Sequence, residues 1–270
     1  MASSPLSWFL PGKSQPHKPV FVYVPGMDGT GQLLTLQLPE LEVHFEVRCL
    51  RLGEDDCSTW DDLAQQGAAL IQTVRRRGMY LCGESFGGCL ALVLAAKFPA
   101  LIDGLVLVNP ASAFEQQPWL AWGTPFVRLM PESMYRLSAL GLVPFLIGAN
   151  RVSQGSRAAL IEAMQSVSAV GTSWRLSLLR QFQLARLPLH QIQQPTLLVA
   201  SRADRLLPSV AEAQRLKRVI PQATVLELPE SHHACLLEAE VHLAQLMATA
   251  DLLPRPVSLS GHAQQSAQSA

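Results

Sequence analysis

No excess of either charge marks this 270-residue sequence, in which 21 lysines and arginines stand against 21 aspartates and glutamates. A chain built to hold a polyanion carries surplus cations. Here the longest basic cluster is Arg75-Arg76-Arg77, which reads as the cationic end of a helix. Nucleic acid is therefore not expected as a partner. Cysteine is scarce, with five residues at 49, 57, 82, 89 and 235. The count is odd and no pair has metal-ligand spacing, so neither a metal nor a disulfide framework is expected. Three of the five lie in apolar runs and read as small core hydrophobes, and a reducing compartment follows. No stretch nears the roughly 18 uninterrupted apolar residues of a membrane span. The opening "MASSPLSWFLPGKSQPHK" has neither a charged n-region nor an apolar h-region, so a secretory signal is not expected. These absences point to a cytoplasmic protein, with peripheral contact to a membrane surface left open. G-x-G-x-x-G and a Walker lysine are both missing, so no phosphate loop and no cofactor are expected. There is no internal repeat.

What is present is alternation. Short β-branched or aromatic runs at 19–24, 44–50, 79–82, 103–110, 195–200 and 223–229 predict six strands. Between them lie helical patterns: a stretch ending at Leu41, Trp60 to Arg77, Phe86 to Phe98, 209–219 and about 236–250. Continuously apolar strands joined by helical crossovers imply an α/β fold with a doubly wound, mostly parallel sheet. Residues 111–190 break the rhythm. They contain no convincing strand, are interrupted by Pro118, Pro125, Pro131 and Pro144, and hold Trp119, Trp122 and Trp174. The expected organisation is an N-terminal extension (1–18), a core (19–110 and 191–250), a helical cap inserted after the fourth predicted strand (111–190), and a low-complexity tail (251–270) expected to be disordered.

The stretch "YLCGESFGGCLALVLAAKFP" places one serine between glycines where a strand becomes a helix. G-x-S-x-G alone arises by chance in roughly one chain in ten of this length. Its position between strand and helix is what points to chemistry. Such a turn needs small residues two positions either side, and it aims the hydroxyl at Ser85 off the sheet beside the N–H groups of a helix start. A serine hydroxyl reacts only when a base takes its proton and an acid orients the base. Asp204 follows the fifth predicted strand, past a carboxyl end where open α/β sheets place their sites. Its bland alternative is a cap for the helix from 209, a task for which Ser209 is better suited. The sixth predicted strand leads into "PESHHACLLE", where His232 and His233 compete as base. An oxyanion is expected to meet the N–H groups of Phe86 and Met27, the latter because Gly26 lets the loop turn inward. Asp28 is assigned a positioning role in substrate binding.

"VPGMDGTG", "CGESFGG", "LVNPAS", "SRADRLLPS" and "SHHACLLE", in this order from about residue 19 to 247, resemble the α/β-hydrolase fold. The closer resemblance is to cyanobacterial and chloroplast hydrolases related to the N-terminal half of phytyl ester synthases. In that pattern a glutamate stands five residues after the base. Glu238 stands five after His233, so the resemblance selects His233 and puts His232 where the family carries glycine. It implies a serine hydrolase acting on esters through Ser85, Asp204 and His233. The apolar stretches around Trp119 and Trp122 suggest that these two tryptophans bind substrate and that the substrate is lipophilic. Two alternatives accompany this reading: an acyltransferase using the same acyl-enzyme, and a non-catalytic protein on the same fold. The plant synthases carry an acyltransferase-like second half that is absent from this sequence.

Overall fold

The computed structural model describes residues 6–76, 78–116, 134–135, 138 and 140–254. Seven strands form one sheet: β1 (Ser7–Phe9), β2 (Val20–Val24), β3 (Glu46–Arg51), β4 (Met79–Glu84), β5 (Gly104–Val108), β6 (Thr196–Ser201) and β7 (Ala223–Leu228). Their spatial order is β1-β3-β2-β4-β5-β6-β7. All pairings are parallel except that of β1 with β3. The doubly wound, mostly parallel α/β sheet is thus present, with one strand more than the hydrophobic pattern predicts. That strand lies in the expected N-terminal extension. Three residues carry too little periodicity to announce a strand. They are held by the register Ser7 opposite Arg51, Trp8 opposite Leu50 and Phe9 opposite Cys49.

Eight α-helices flank the sheet among the described residues: α1 (Leu38–His44), α2 (Trp60–Val74), α3 (Phe86–Lys97), α4 (Val143–Leu146), α5 (Gln154–Gln165), α6 (Ala169–Gln181), α7 (Ser209–Lys217) and α8 (Leu243–Thr249). The central strands β2, β4, β5 and β6 feed both faces of the sheet. Val20, Val22, Leu81, Leu105, Leu107 and Leu198 enter one apolar cluster; Phe21, Tyr23, Cys82, Val106, Val108, Leu197 and Val199 enter the other. That two-fold alternation is the strand period at work. It explains why these strands read as unbroken apolar runs. Helix α3 is buried from Phe86 through Ala96, as a helix apolar on every side must be. Helix α2 is amphipathic and starts at a capping box. The Thr59 hydroxyl receives the Asp62 N–H, and the Asp62 carboxylate receives the Thr59 N–H.

Two expected boundaries shift. Helix α2 stops at Val74, so the arginine triplet lies beyond it; Arg75 donates to the Ala100 carbonyl and Arg76 pairs with the buried Glu46. Arg77 lies outside the described residues. The helix expected from about 236 begins only at Leu243. Before it, Cys235–Leu237 make a single 3₁₀ turn, and Glu238 is spent on side-chain bonds that hold the preceding loop. Between β5 and β6 the chain runs through α4, α5 and α6, and a small apolar cluster joins Val143, Ile147 and Leu160 to Ala234 and Leu237. The tail beyond Pro254 and most of 117–139 lie outside the described residues.

Candidate active site

Ser85 joins β4 to α3 with φ 53° and ψ −115°. A non-glycine residue at positive φ is strained and needs neighbours that leave it no alternative. The neighbours are close. A Cβ at Gly87 would lie 2.1 Å from the Val24 carbonyl oxygen, and one at Gly83 would lie 2.4 Å from the Gly87 oxygen. The Ser85 N–H donates to the Val108 carbonyl at 3.0 Å, while its own carbonyl accepts from Gly88 at 3.0 Å and Ala111 at 2.9 Å. Strands β2, β4 and β5 thus converge on one hydroxyl.

The structure brings Ser85, His233 and Asp204 into one hydrogen-bonded series. His233 Nε2 lies 2.8 Å from Ser85 Oγ, and His233 Nδ1 lies 2.7 Å from Asp204 Oδ2. Asp204 Oδ1 accepts the N–H groups of Leu206 (2.8 Å) and Leu207 (3.0 Å), and its Oδ2 accepts the Ser209 hydroxyl. Ser209 is therefore not the helix cap the sequence suggests. Helix α7 starts without a side-chain cap, and the hydroxyl is turned onto the carboxylate instead. Burial pushes the Asp204 pKa up, but the charge and hydrogen bond of His233, with Ser209 and Leu207, outweigh it and hold the carboxyl below its ordinary value. Burial likewise disfavours the His233 imidazolium. The charge and hydrogen bond of Asp204 and the charge of Glu84 more than offset this, so its pKa is raised. An ionised Asp204 assigns the proton to Nδ1 and leaves the Nε2 lone pair facing the serine.

The adjacent imidazole does something else. His232 has no hydrogen bond to Ser85 or Asp204; its ring lies against Gly148, where a Cβ would come within 2.9 Å of it. Glu238 accepts the His232 N–H and the Ser231 hydroxyl, each at 2.9 Å, and pairs with Arg151 at 2.6 Å. The loop bearing both histidines is thereby fixed from below.

Met27 lines the same cavity as Ser85, Phe86 follows Ser85 as the first residue of α3, and among the described residues no hydrogen-bond acceptor is paired with either N–H. The reason offered for Gly26 does not hold. It has no positive φ, and a Cβ there would make only ordinary contacts, 3.7 Å from Ser85 Cβ and Asp28 Oδ1. The turn is made instead by Gly29 (φ 68°) and Gly31 (φ 76°). Asp28 lines the cavity, and its Oδ2 receives both the N–H (2.9 Å) and the hydroxyl (2.5 Å) of Thr30. Trp119 and Trp122 lie outside the described residues. No group of three or more His, Cys, Asp or Glu side chains among the described residues is arranged to hold a metal.

A cavity of about 220 Å³ opens over Ser85 and His233. Leu142, Leu146, Leu160, Met164, Phe114, Leu176, Leu179 and Leu207 are among the apolar residues that line it. Three further residues escape the motif reading. Asn109, at φ 42°, donates from Nδ2 to the His233 carbonyl (2.7 Å) and to Ser201 Oγ (2.9 Å), while its Oδ1 accepts the Ser201 N–H at 2.8 Å. Its signals in the sequence are a polar residue ending an apolar strand and its place in "LVNPAS", neither of which announces a bond to the histidine loop. Glu84, buried beneath the serine, accepts a hydrogen bond from the Tyr23 hydroxyl. Burial raises its pKa to about 7, against the lowering effects of Tyr23 and His233. Arg175 is the third, a buried cation between Trp174 and Leu176 in α6.

Residues 55–240 match the family described as serine aminopeptidase, S33. The chain is 29% identical over 269 residues to phytyl ester synthase 1, chloroplastic, of Arabidopsis thaliana, covering 88% of this chain and 38% of that protein. It is 28% identical over 254 residues to the putative carbamate hydrolase RutD of Serratia proteamaculans (strain 568), covering 87% and 92%. The chain spans less than two fifths of the length of the two phytyl ester synthases it matches. A hydrolase from Pseudomonas aeruginosa PA01 superposes with a TM-score of 0.71 at 20% identity, over 92% of each chain. At that identity the likeness speaks for the fold. No helix of the described residues is long and apolar enough to cross a membrane.

Proposed function

Because the chain belongs to the α/β-hydrolase superfamily, in the family described as serine aminopeptidase, S33, we propose that it is a serine hydrolase cleaving carboxylic esters with lipophilic groups. The observation that carries this reading is the hydrogen-bonded series Ser85–His233–Asp204 at the floor of an apolar cavity. Ser85 Oγ attacks the ester carbonyl carbon as its proton passes to His233 Nε2, and Asp204 stabilises the imidazolium. The N–H groups of Met27 and Phe86 receive the oxyanion. Collapse breaks the bond to the alcohol, which leaves with the proton from His233. Water then attacks the acyl-enzyme by the same route, releasing the acid and restoring the serine. Among the described residues that line the cavity, the only Asp, Glu, Lys or Arg side chains are Asp28 and Glu84 near the serine, which suits an alkyl or acyl chain. We assign the segment between β5 and β6 the role of a cap over this cavity.

A second reading, acyl transfer to an alcohol in place of water, is favoured by the likeness to phytyl ester synthase 1. Chromogenic esters of increasing acyl length, with and without a long-chain alcohol acceptor, test both. Hydrolysis that rises with chain length supports the esterase reading, and dominant ester synthesis supports transfer. Ser85→Ala should lower either rate by roughly 10⁶-fold. Unchanged turnover in that variant, or no labelling of Ser85 by a fluorophosphonate, would defeat the acyl-enzyme altogether.

A further inference from the structure

Among the described residues, Arg175 is the largest side chain to be almost completely removed from solvent, at 1% exposure. It stands on α6, in the helical segment between β5 and β6, yet it reaches across to the loop after β2. Its Nη1 donates to the Met27 carbonyl at 2.5 Å, and Nη2 donates to the Gly53 carbonyl at 2.6 Å. Its Nε is buried without an acceptor among the described residues. No carboxylate forms an ion pair with it there, although Asp28 and Asp56 lie near enough to favour its charge. Burying a cation against carbonyl oxygens alone is costly. A methionine or leucine would fill the same space at less cost if packing were the only need.

The loop has made room for it. Gly29 sits at φ 68°, and a Cβ there would lie 2.9 Å from Nη1 and 3.1 Å from Nη2. The second glycine-rich stretch of the sequence, "GMDGTG", therefore has a physical purpose beyond turning the chain. It lets a guanidinium approach the backbone from the far side. A planar fork with fixed donor directions can tie two carbonyls at once, which an ammonium cannot do.

We propose that Arg175 is a positioning residue that fixes the Met27 N–H as an oxyanion donor, so that the helical segment over the cavity and the oxyanion hole are set by one side chain. This rests on the ester-hydrolysis reading for its catalytic consequence, and on geometry alone for the fixing of the loop. The carbonyl that Arg175 holds and the N–H assigned to the oxyanion flank the same Cα, so losing the bond at the one peptide leaves the Met27 backbone dihedrals, and with them the direction of the other, free to change.

Two variants and two measurements test it. Arg175→Lys keeps the charge with one tether; Gly29→Ala keeps Arg175 but pushes it from its seat. Removing an oxyanion donor outright costs about 10²–10³-fold in kcat, and a donor misplaced but present should cost about 10- to 10²-fold. Both variants should show that loss in kcat with KM within about threefold. Both should also bind an alkyl trifluoromethyl ketone, which forms a tetrahedral oxyanion on Ser85, more weakly by the same factor. A fall in melting temperature with kcat and ketone affinity unchanged would overturn the proposal, as would a change in KM alone. Hydrogen exchange by mass spectrometry supplies a readout that needs no turnover. Residues 26–30 should exchange faster in both variants, while the peptide spanning β4 and α3 stays as in wild type. If the wild type proves inert towards esters, the ester reading fails, and unaltered exchange at 26–30 would then defeat the positioning role as well.

Discussion

The carboxyl edge of the sheet and the helical segment between β5 and β6 contribute to one cavity by opposite means. At the sheet edge, each functional atom is fixed by bonds that admit no substitute. Ser85 is held by backbone bonds to β5, to the turn after it and to α3, and by glycines whose Cβ atoms would clash with carbonyl oxygens. His233 is gripped through its carbonyl by Asn109, and Asp204 through two N–H groups and a hydroxyl. In the helical segment, Leu142, Leu146, Leu160, Met164, Leu176 and Leu179 supply only apolar surface. Surface of that kind is interchangeable at constant volume. Chemistry here depends on a few atoms placed to a fraction of an ångström, whereas the wall depends on how much space is left. Arg175 and Arg151 are exceptions that join the two regions, the first at the Met27 carbonyl and the second at Glu238.

The sharpest way to break this comparison is at the acid. Asp204→Asn keeps the volume and can still accept the Leu206 and Leu207 N–H groups, but it no longer favours the imidazolium or assigns the Nδ1 proton. By analogy with the same substitution in a serine protease triad, a loss of about 10⁴-fold in kcat is expected. Stability should change far less. Steady-state kinetics beside a thermal melt would show it. If the variant kept a tenth of wild-type activity, the edge would be no more exacting than the wall.

The same contrast explains what could be read from residues alone. Strands β2, β4, β5 and β6 are legible because burial on both faces demands unbroken apolar runs, and β3 and β7 from shorter β-branched or aromatic runs that charged residues interrupt. Helix α3 is legible because its glycines and small residues follow a strand without a loop. Ser85, Asp204 and His233 fall where strand ends meet helices, and the choice of His233 over His232 needed the spacing to Glu238. Strand β1 was not legible, since its pairing to β3 is decided by a partner 42 residues away in sequence, Trp8 opposite Leu50. Ser209 was misassigned because a serine at a helix start has two ordinary uses, and only the position of Asp204 decides between them. Asn109 and Arg175 were missed because each acts on a backbone carbonyl, and a carbonyl leaves no mark in a sequence.

A smaller effect probes the wall. Leu176 is half-buried and lines the cavity on α6, one residue from Arg175. Leu176→Trp should shorten the space available to an acyl chain without touching the hydrogen-bonded series. Each methylene excluded from an apolar pocket is worth about 1–3 kcal/mol, or roughly 10- to 200-fold in kcat/KM. The variant should therefore lose activity on long-chain esters within that range and keep it on acetyl esters, as a chain-length series would reveal. Equal loss on every ester would mean that the wall, like the edge, is held to exact positions.

The smallest expected effect sharpens the comparison from beneath the site. The Glu84 charge favours the His233 imidazolium, and Glu84 itself titrates near 7 because it is buried. Hydrolysis needs neutral His233, so kcat/KM should rise as pH climbs through the raised pKa of that residue. Because the two groups interact, the acid limb belongs to the pair and should be broad. Glu84→Gln retains an acceptor for the Tyr23 hydroxyl and removes the charge. The limb should then move to lower pH and steepen to a single-proton slope. Stability follows the same group with a definite sign. The pKa of Glu84 is raised from 4.5 to about 7 in the folded protein, so the stability linked to it is complete below 4.5 and is lost as pH rises to about 7. The loss is on the order of 3 kcal/mol. The glutamine variant should lack that decline and melt higher than wild type at pH 8. A melting temperature unchanged at pH 8, with the acid limb where it was, would mean that the buried carboxyl carries no charge that His233 can feel, and that the edge is fixed by hydrogen bonds alone.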